Sequence, residues 1–179
     1  SCATRESHHP MQNPLLNTAA DTLPAFARIK PEHAEPALDA LIAQNRADLK
    51  TLLEKNSTPS WDSLIEPLEE MGDHISRAWG PVQHLFGVMS TADWRKAFNA
   101  CLPKLTEYSL ELSQSEPLYH AYQTLADNPS FKDFSVPRKK VVNDALRDFK
   151  LSGIALPEKE KNRYKEISLR LSELQTKFE

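Results

Sequence analysis

Thirteen prolines and only four glycines punctuate this chain. Most of the prolines stand where a run of apolar residues spaced three and four apart begins. Proline lacks an N–H and has φ fixed near the helical value, so it suits the first turn of a helix and disrupts the interior. Few stretches alternate apolar and polar in the manner of a strand. The pattern specifies an all-α protein, a multi-helix bundle of about six helices, several of them proline-kinked.

The first ten residues, "SCATRESHHP", carry no periodicity and are followed by Met11. Residues 1–10 read as an extension outside the fold, and 11–179 as one helical domain. Residues 12–30 form an extended lead-in, anchored by Leu15, Leu16, Leu23, Phe26 and Ile29. The first helix runs from Pro31 to about Lys55, with a stripe of Leu38, Leu41, Ile42, Leu49, Leu52 and Leu53. Ser60 is placed to cap a second helix, whose apolar positions extend from Trp61 to Met89 and which Gly80-Pro81 should kink or split. Thr91 caps a third helix, whose hydrogen-bond ladder Pro103 interrupts. Pro117 opens a fourth, "DNPSFKDFS" is a loop, and a fifth starts near Pro137 with Val141, Val142, Ala145, Leu146 and Phe149 inward. Gly153 falls where a helix-terminating glycine belongs, and Pro157 starts the last helix.

Composition excludes several function classes. The net charge is −3 and the pI about 6.1, so the basic footprint of a nucleic-acid binder is missing. Arg138, Lys139 and Lys140 sit beside Asp144 and Asp148 as a solvated helix face. The longest apolar run, "LFGVM", is far short of the ~20 residues that span a bilayer. Two cysteines, Cys2 and Cys101, make no disulfide framework and point to a reducing, cytoplasmic compartment.

No catalytic constellation emerges. The chain lacks His-Glu-x-x-His, Gly-x-Ser-x-Gly, Cys-x-x-Cys and any glycine-rich phosphate loop. His8 and His9 lie in the tail. Glu70 and His74 share a helix face and read as a surface ion pair rather than metal ligands, while His84 is thrown out of phase by Gly80-Pro81. Glu66, Glu69, Glu70 and Asp73 form a solvated acidic patch, Cys101 an inert core thiol, and the three tryptophans core or lip-of-core packing. The sequence-level expectation is therefore no catalytic, cofactor-binding or metal residue in this chain.

Near the end, Tyr164, Ile167, Leu171, Leu174 and Phe178 recur at helical spacing with no glycine, asparagine or proline stop beyond them. Such a stripe needs cover. The expectation is a helix that continues into a missing portion, or else self-association or fraying of its last turns. A free-standing interaction module that docks a partner along this helix is the alternative.

Three stretches carry a specific resemblance: "MQNPLL" at Met11–Leu16, "IKPEHAEPAL" at Ile29–Leu38, and "VVNDALRDFKLSGIALPEKEKNRYKEISLRLSEL" at Val141–Leu174. In that order they resemble the amino-terminal region of the zinc oligopeptidases of the thimet oligopeptidase and neurolysin family, M3. "WDSLIEPLEEMGDHISRAW" at Trp61–Trp79 is similar more loosely. The resemblance implies that Met11 is the natural start and that this segment is the helical wall of a deep channel admitting short peptides. It implies that zinc, held by His-Glu-x-x-His and a further Glu, belongs to a carboxy-terminal catalytic portion of the parent. There it would assist hydrolysis, with Glu as general base. None of those ligands is in this chain.

Overall fold

The computed structural model describes residues 13–17, 22–154 and 156–178. Residues 1–12, with Cys2, the His8–His9 pair and the expected start at Met11, lie outside the described residues. Six α-helices follow one another: α1 (Pro31–Lys55), α2 (Glu66–Met89), α3 (Ala92–Ser113), α4 (Glu116–Asp127), α5 (Val136–Leu151) and α6 (Glu158–Phe178). No strand occurs among the described residues. The bundle is all-α.

The helix starts are local chemistry. The Oγ atoms of Ser60, Ser115 and Ser135 and the Oγ1 of Thr91 accept the backbone N–H three residues on, satisfying one of the orphan donors of a first turn. At Ser60 the arrangement is reciprocal, because the Ser63 hydroxyl accepts the Ser60 N–H at 2.9 Å. Pro31, Pro67, Pro117 and Pro137 then occupy the first or second helical position, where no donor is lost. At the end of α5, the Gly153 N–H reaches the Lys150 carbonyl at 3.1 Å and the Ile154 N–H the Phe149 carbonyl at 3.2 Å. This is a Schellman closure, with Gly153 at φ +78°.

Several expectations are corrected. The second helix does not split at Gly80-Pro81, because α2 passes unbroken through both residues; α3 also continues through Pro103, whose missing N–H leaves the expected gap in the hydrogen-bond ladder. Pro81, with Val82 beside it, is buried, and tertiary packing outweighs the one hydrogen bond that proline forfeits. The irregularity lies instead at the start of that segment, where Trp61–Ile65 form a π-helical turn. In the lead-in, Leu15 and Ile29 are buried, but Leu23 is 92% exposed and Phe26 stands in a short 3-10 turn (Phe26–Arg28) at the surface. The Asn13 amide fixes this segment, donating to the His33 carbonyl at 2.9 Å while its oxygen accepts the Leu15 N–H at 3.0 Å. The segment expected as loop contains a 3-10 turn at Pro129–Asp133. Val141 faces outward and Val142 inward.

α1 packs on α2 and α3, α4 on α5, and α6 on α3. The interior divides into two apolar clusters. One joins Leu15 and Ile29 to the first half of α1, the second half of α2 and the first half of α3, around Leu38, Val82, Trp94 and Cys101. The other joins the π turn to α4 and α5, around Leu64, Ile65, Leu125, Val142 and Phe149. Asn45, midway along α1 and 1% exposed, is buried with them. Its Nδ2 donates to the Met71 carbonyl of α2 at 3.0 Å, and its side chain lies beside the buried Tyr108 of α3.

α6 is held by its polar side. Lys161 Nζ lies 2.9 Å from Glu116 Oε1, Lys165 Nζ 3.1 Å from Glu107 Oε1, and Ser172 Oγ 3.0 Å from Thr106 Oγ1. The partly exposed Lys165–Glu107 pair contributes about 0–1 kcal/mol and is screened by salt, whereas Lys161 is itself buried and its pair with the exposed Glu116 is screened less. Raising NaCl from about 0.05 to 1 M should therefore lower amide-exchange protection more in α6 than in α1, whose own ion pairs to α3 are backed by the buried Leu38 and Ile42. Equal protection loss in both helices, read by exchange mass spectrometry, would refute this.

Candidate functional site

The structure disperses the residues that chemistry would need together. His74 Nε2 is 3.8 Å from Glu70 Oε1, both side chains solvent-exposed, on the wall of a groove of about 540 Å³ between α1 and α2. His33 is used structurally: its Nδ1 accepts the Lys30 N–H at 3.0 Å, closing the start of α1. His84 lies against the Phe26 ring, centroids 5.1 Å apart, and His120 is exposed. Glu66, Glu69, Glu70 and Asp73 are all exposed on α2. Among the described residues, no group of three or more His, Cys, Asp or Glu side chains is gathered to hold a metal ion.

Cys101 is wholly buried. Burial first, then the nearby Glu35 charge, pushes its thiol up to about 12, against the opposing charge of Lys104. Tyr122 is likewise raised to about 12 by burial and by Glu69. Both groups keep their protons in the folded chain after the unfolded chain would release them. The stability they contribute is complete below about pH 9 for the thiol and pH 10 for the phenol, and is lost as pH rises toward 12. Iodoacetamide at pH 8 should therefore leave Cys101 unlabelled until denaturant is added, because the thiolate is the nucleophile. Rapid labelling of the Cys101 peptide in native buffer would contradict this.

The tryptophans are structural. Trp94 is buried, Trp79 stacks on Phe98 at 5.1 Å, and Trp61 meets Phe134 edge-on at 6.2 Å. The Arg138 guanidinium sits 4.6 Å over the Trp61 ring, a cation–π contact that joins α5 to the π turn. Lys140 pairs with Asp144 at 2.9 Å, and that bond holds the Asp144 carboxyl below its usual range. The basic trio thus serves as a solvated helix face, with Arg138 the partial exception. A second cavity, of about 290 Å³, opens between α2, α3, α4 and α5, lined by Leu68, Leu112, Leu118, Tyr122 and Phe149 among others.

The least expected surface is on α6. Because Lys161, Lys165 and Ser172 turn toward the bundle, the apolar stripe turns away from it. Tyr164 is 38% exposed, Ile167 52%, Leu171 56% and Phe178 89%, while Leu174, the fifth member of the stripe, is half-buried. Spacing marks the stripe but not its orientation. The series Arg163, Arg170 and Lys177 recurs every seven residues and marks one flank of the stripe, a signal present in the sequence.

Comparison with known proteins extends these observations. A family model described as "Neurolysin/Thimet oligopeptidase, N-terminal domain" matches residues 38–161. Oligopeptidase A of Haemophilus influenzae is 45% identical over 168 residues, covering 94% of this chain and 24% of that protein. Oligopeptidase A of Escherichia coli is 39% identical over the same shares. The probable cytosolic oligopeptidase A of Arabidopsis thaliana is 34% identical over 93% of this chain and 23% of its own length. The chain spans about a quarter of the length of the curated relatives it matches. Among the described residues, no helix is long and apolar enough to cross a membrane.

Proposed function

The chain belongs to the neurolysin/thimet oligopeptidase family, matching its N-terminal domain, and from that premise we propose that it is the non-catalytic helical domain of a cytoplasmic zinc metallo-oligopeptidase. In this reading it forms one wall of the channel through which short peptides reach a reaction centre carried by a carboxy-terminal portion of the same protein. The observation that carries the proposal is the pairing of an N-terminal-domain match over residues 38–161 with relatives of which this chain spans only 24%. The described residues do not fit a zinc site: the nearest approach to a ligand pair, Glu70 and His74, lacks a third donor, and both side chains stand in solvent. A tetrahedral site needs three or four converging ligands. Bond cleavage is therefore assigned to residues outside this chain, and shape and exclusion to these helices.

The purified 179-residue chain, supplied with zinc, should leave a quenched short peptide intact. The natural polypeptide containing it should cleave the same peptide and lose that activity to a chelator. Cleavage by the chain alone, or a natural polypeptide without peptidase activity, would overturn the proposal. The solvent-facing stripe of α6 supports a second reading, a free-standing interaction module. A natural polypeptide that stops at Glu179 would favour that reading.

A further inference from the structure

We infer that the outward stripe of α6 is the docking edge for an amphipathic helix with an acidic flank, contributed by the carboxy-terminal portion of the same polypeptide. The inference rests on the reading just given for that portion. Its substance is geometric. One side of α6 is engaged with α3 and α4 through Lys161, Lys165 and Ser172. Turning about a third of the way round the helix, at 100° per residue, brings up the exposed apolar positions. A further turn in the same sense brings up Arg163, Arg170 and Lys177, all exposed. Among the described residues, no carboxylate pairs with Arg163 or Lys177, and Arg170 has only Glu173 on its own helix. The open edge is therefore apolar along its middle and basic along its free flank.

A heptad-spaced stripe with charged flanks is the pattern by which two helices select each other, the apolar positions giving contact and the flanks choosing the partner. A second copy of this chain makes a poor occupant. Antiparallel pairing of two α6 stripes brings basic flank against basic flank. Parallel pairing sets it against Ser168 and Gln175, which offer no charge. An acidic-flanked helix satisfies both parts of the edge, and the three-quarters of its relatives' length that this chain does not span can supply one.

The test uses the natural polypeptide with a photo-reactive benzoylphenylalanine in place of Leu171. Irradiation should yield an intramolecular crosslink to a helical peptide beyond Glu179 whose apolar positions are bordered by Asp or Glu. The triple reversal R163E/R170E/K177E should cut that crosslink several-fold. The double variant I167D/L171D should lower the Tm of the natural polypeptide by about 5 °C or more while leaving the Tm of the 179-residue chain unchanged. Crosslinks confined to residues 1–179, crosslinks to a second copy, a crosslinked peptide without acidic residues, or stripe-dependent binding to anionic vesicles would each overturn the inference. Those outcomes in a polypeptide that is an active, chelator-sensitive peptidase would sink the docking edge alone. A polypeptide with no peptidase activity would sink the functional reading beneath it.

Discussion

Leu64→Ala should lower the free energy of unfolding by about 2–5 kcal/mol, the range for removing a buried leucine from a site that cannot fully collapse. Leu64 is 0% exposed and belongs to the cluster that joins the π turn to α4 and α5. Two features argue for the upper half of that range. The side chain projects from a turn already committed to an irregular hydrogen-bond pattern and held by reciprocal Ser60–Ser63 bonds, so the backbone has little freedom to sink into the void. Its cluster is also assembled from elements distant in sequence, from the π turn through Val142 to Ile154. For a domain of this size each kcal/mol lost moves Tm by about 2–4 °C. The informative control is Leu171→Ala, a chemically identical change on the exposed stripe, expected within about 0.5 kcal/mol of zero. Urea unfolding followed by circular dichroism would measure both. A cost below about 1 kcal/mol at Leu64, or equal costs at the two sites, would show that the described burial does not govern stability.

That contrast between two leucines marks the boundary of what the sequence discloses. Spacing declares that residues share a face, and it did so for the α1 residues around Leu38 and for the α6 stripe alike. It does not declare what the face meets. Leu38 and Ile42 turned inward, whereas Ile167 and Leu171 turned out, because the other side of α6 carries lysines and a serine that find Glu107, Glu116 and Thr106 on neighbouring helices. Helix starts were legible for the opposite reason. A Ser or Thr cap acts within three residues, so Ser60 and Thr91 carry their meaning locally. A split at Gly80-Pro81 does not occur because the cost of a missing hydrogen bond is local while its compensation is not. Pro81 lies within a core that no window of sequence displays. For the site, the sequence disclosed which ligand motifs were missing, and the family comparison supplied the context that no arrangement within these helices could.

The same limit applies to Asn45, which looks like one polar residue between apolar neighbours on α1 and proves to join three helices. Asn45→Ala should cost about 1–3 kcal/mol, mostly through groups left without partners. The Asn45 amide donates to the Met71 carbonyl of α2 in a position sealed from water and lies beside Tyr108 of α3. Truncation takes away the donor to Met71 and opens a void beside Tyr108, itself buried at 8% exposure. Asn45→Leu separates polarity from volume. It refills the space, yet still leaves the extra Met71 carbonyl lone pair unpaired, so it should recover less than half of the loss. Pairing Asn45→Ala with Tyr108→Phe completes the argument. If the two side chains act as one hydrogen-bonded unit, the double variant should be less destabilised than the sum of the singles by about 0.5–3 kcal/mol. Strict additivity in urea unfolding would mean that Asn45 acts through Met71 alone. A leucine variant more stable than the parent would show that the buried amide is retained for the specificity of the three-helix junction rather than for its strength.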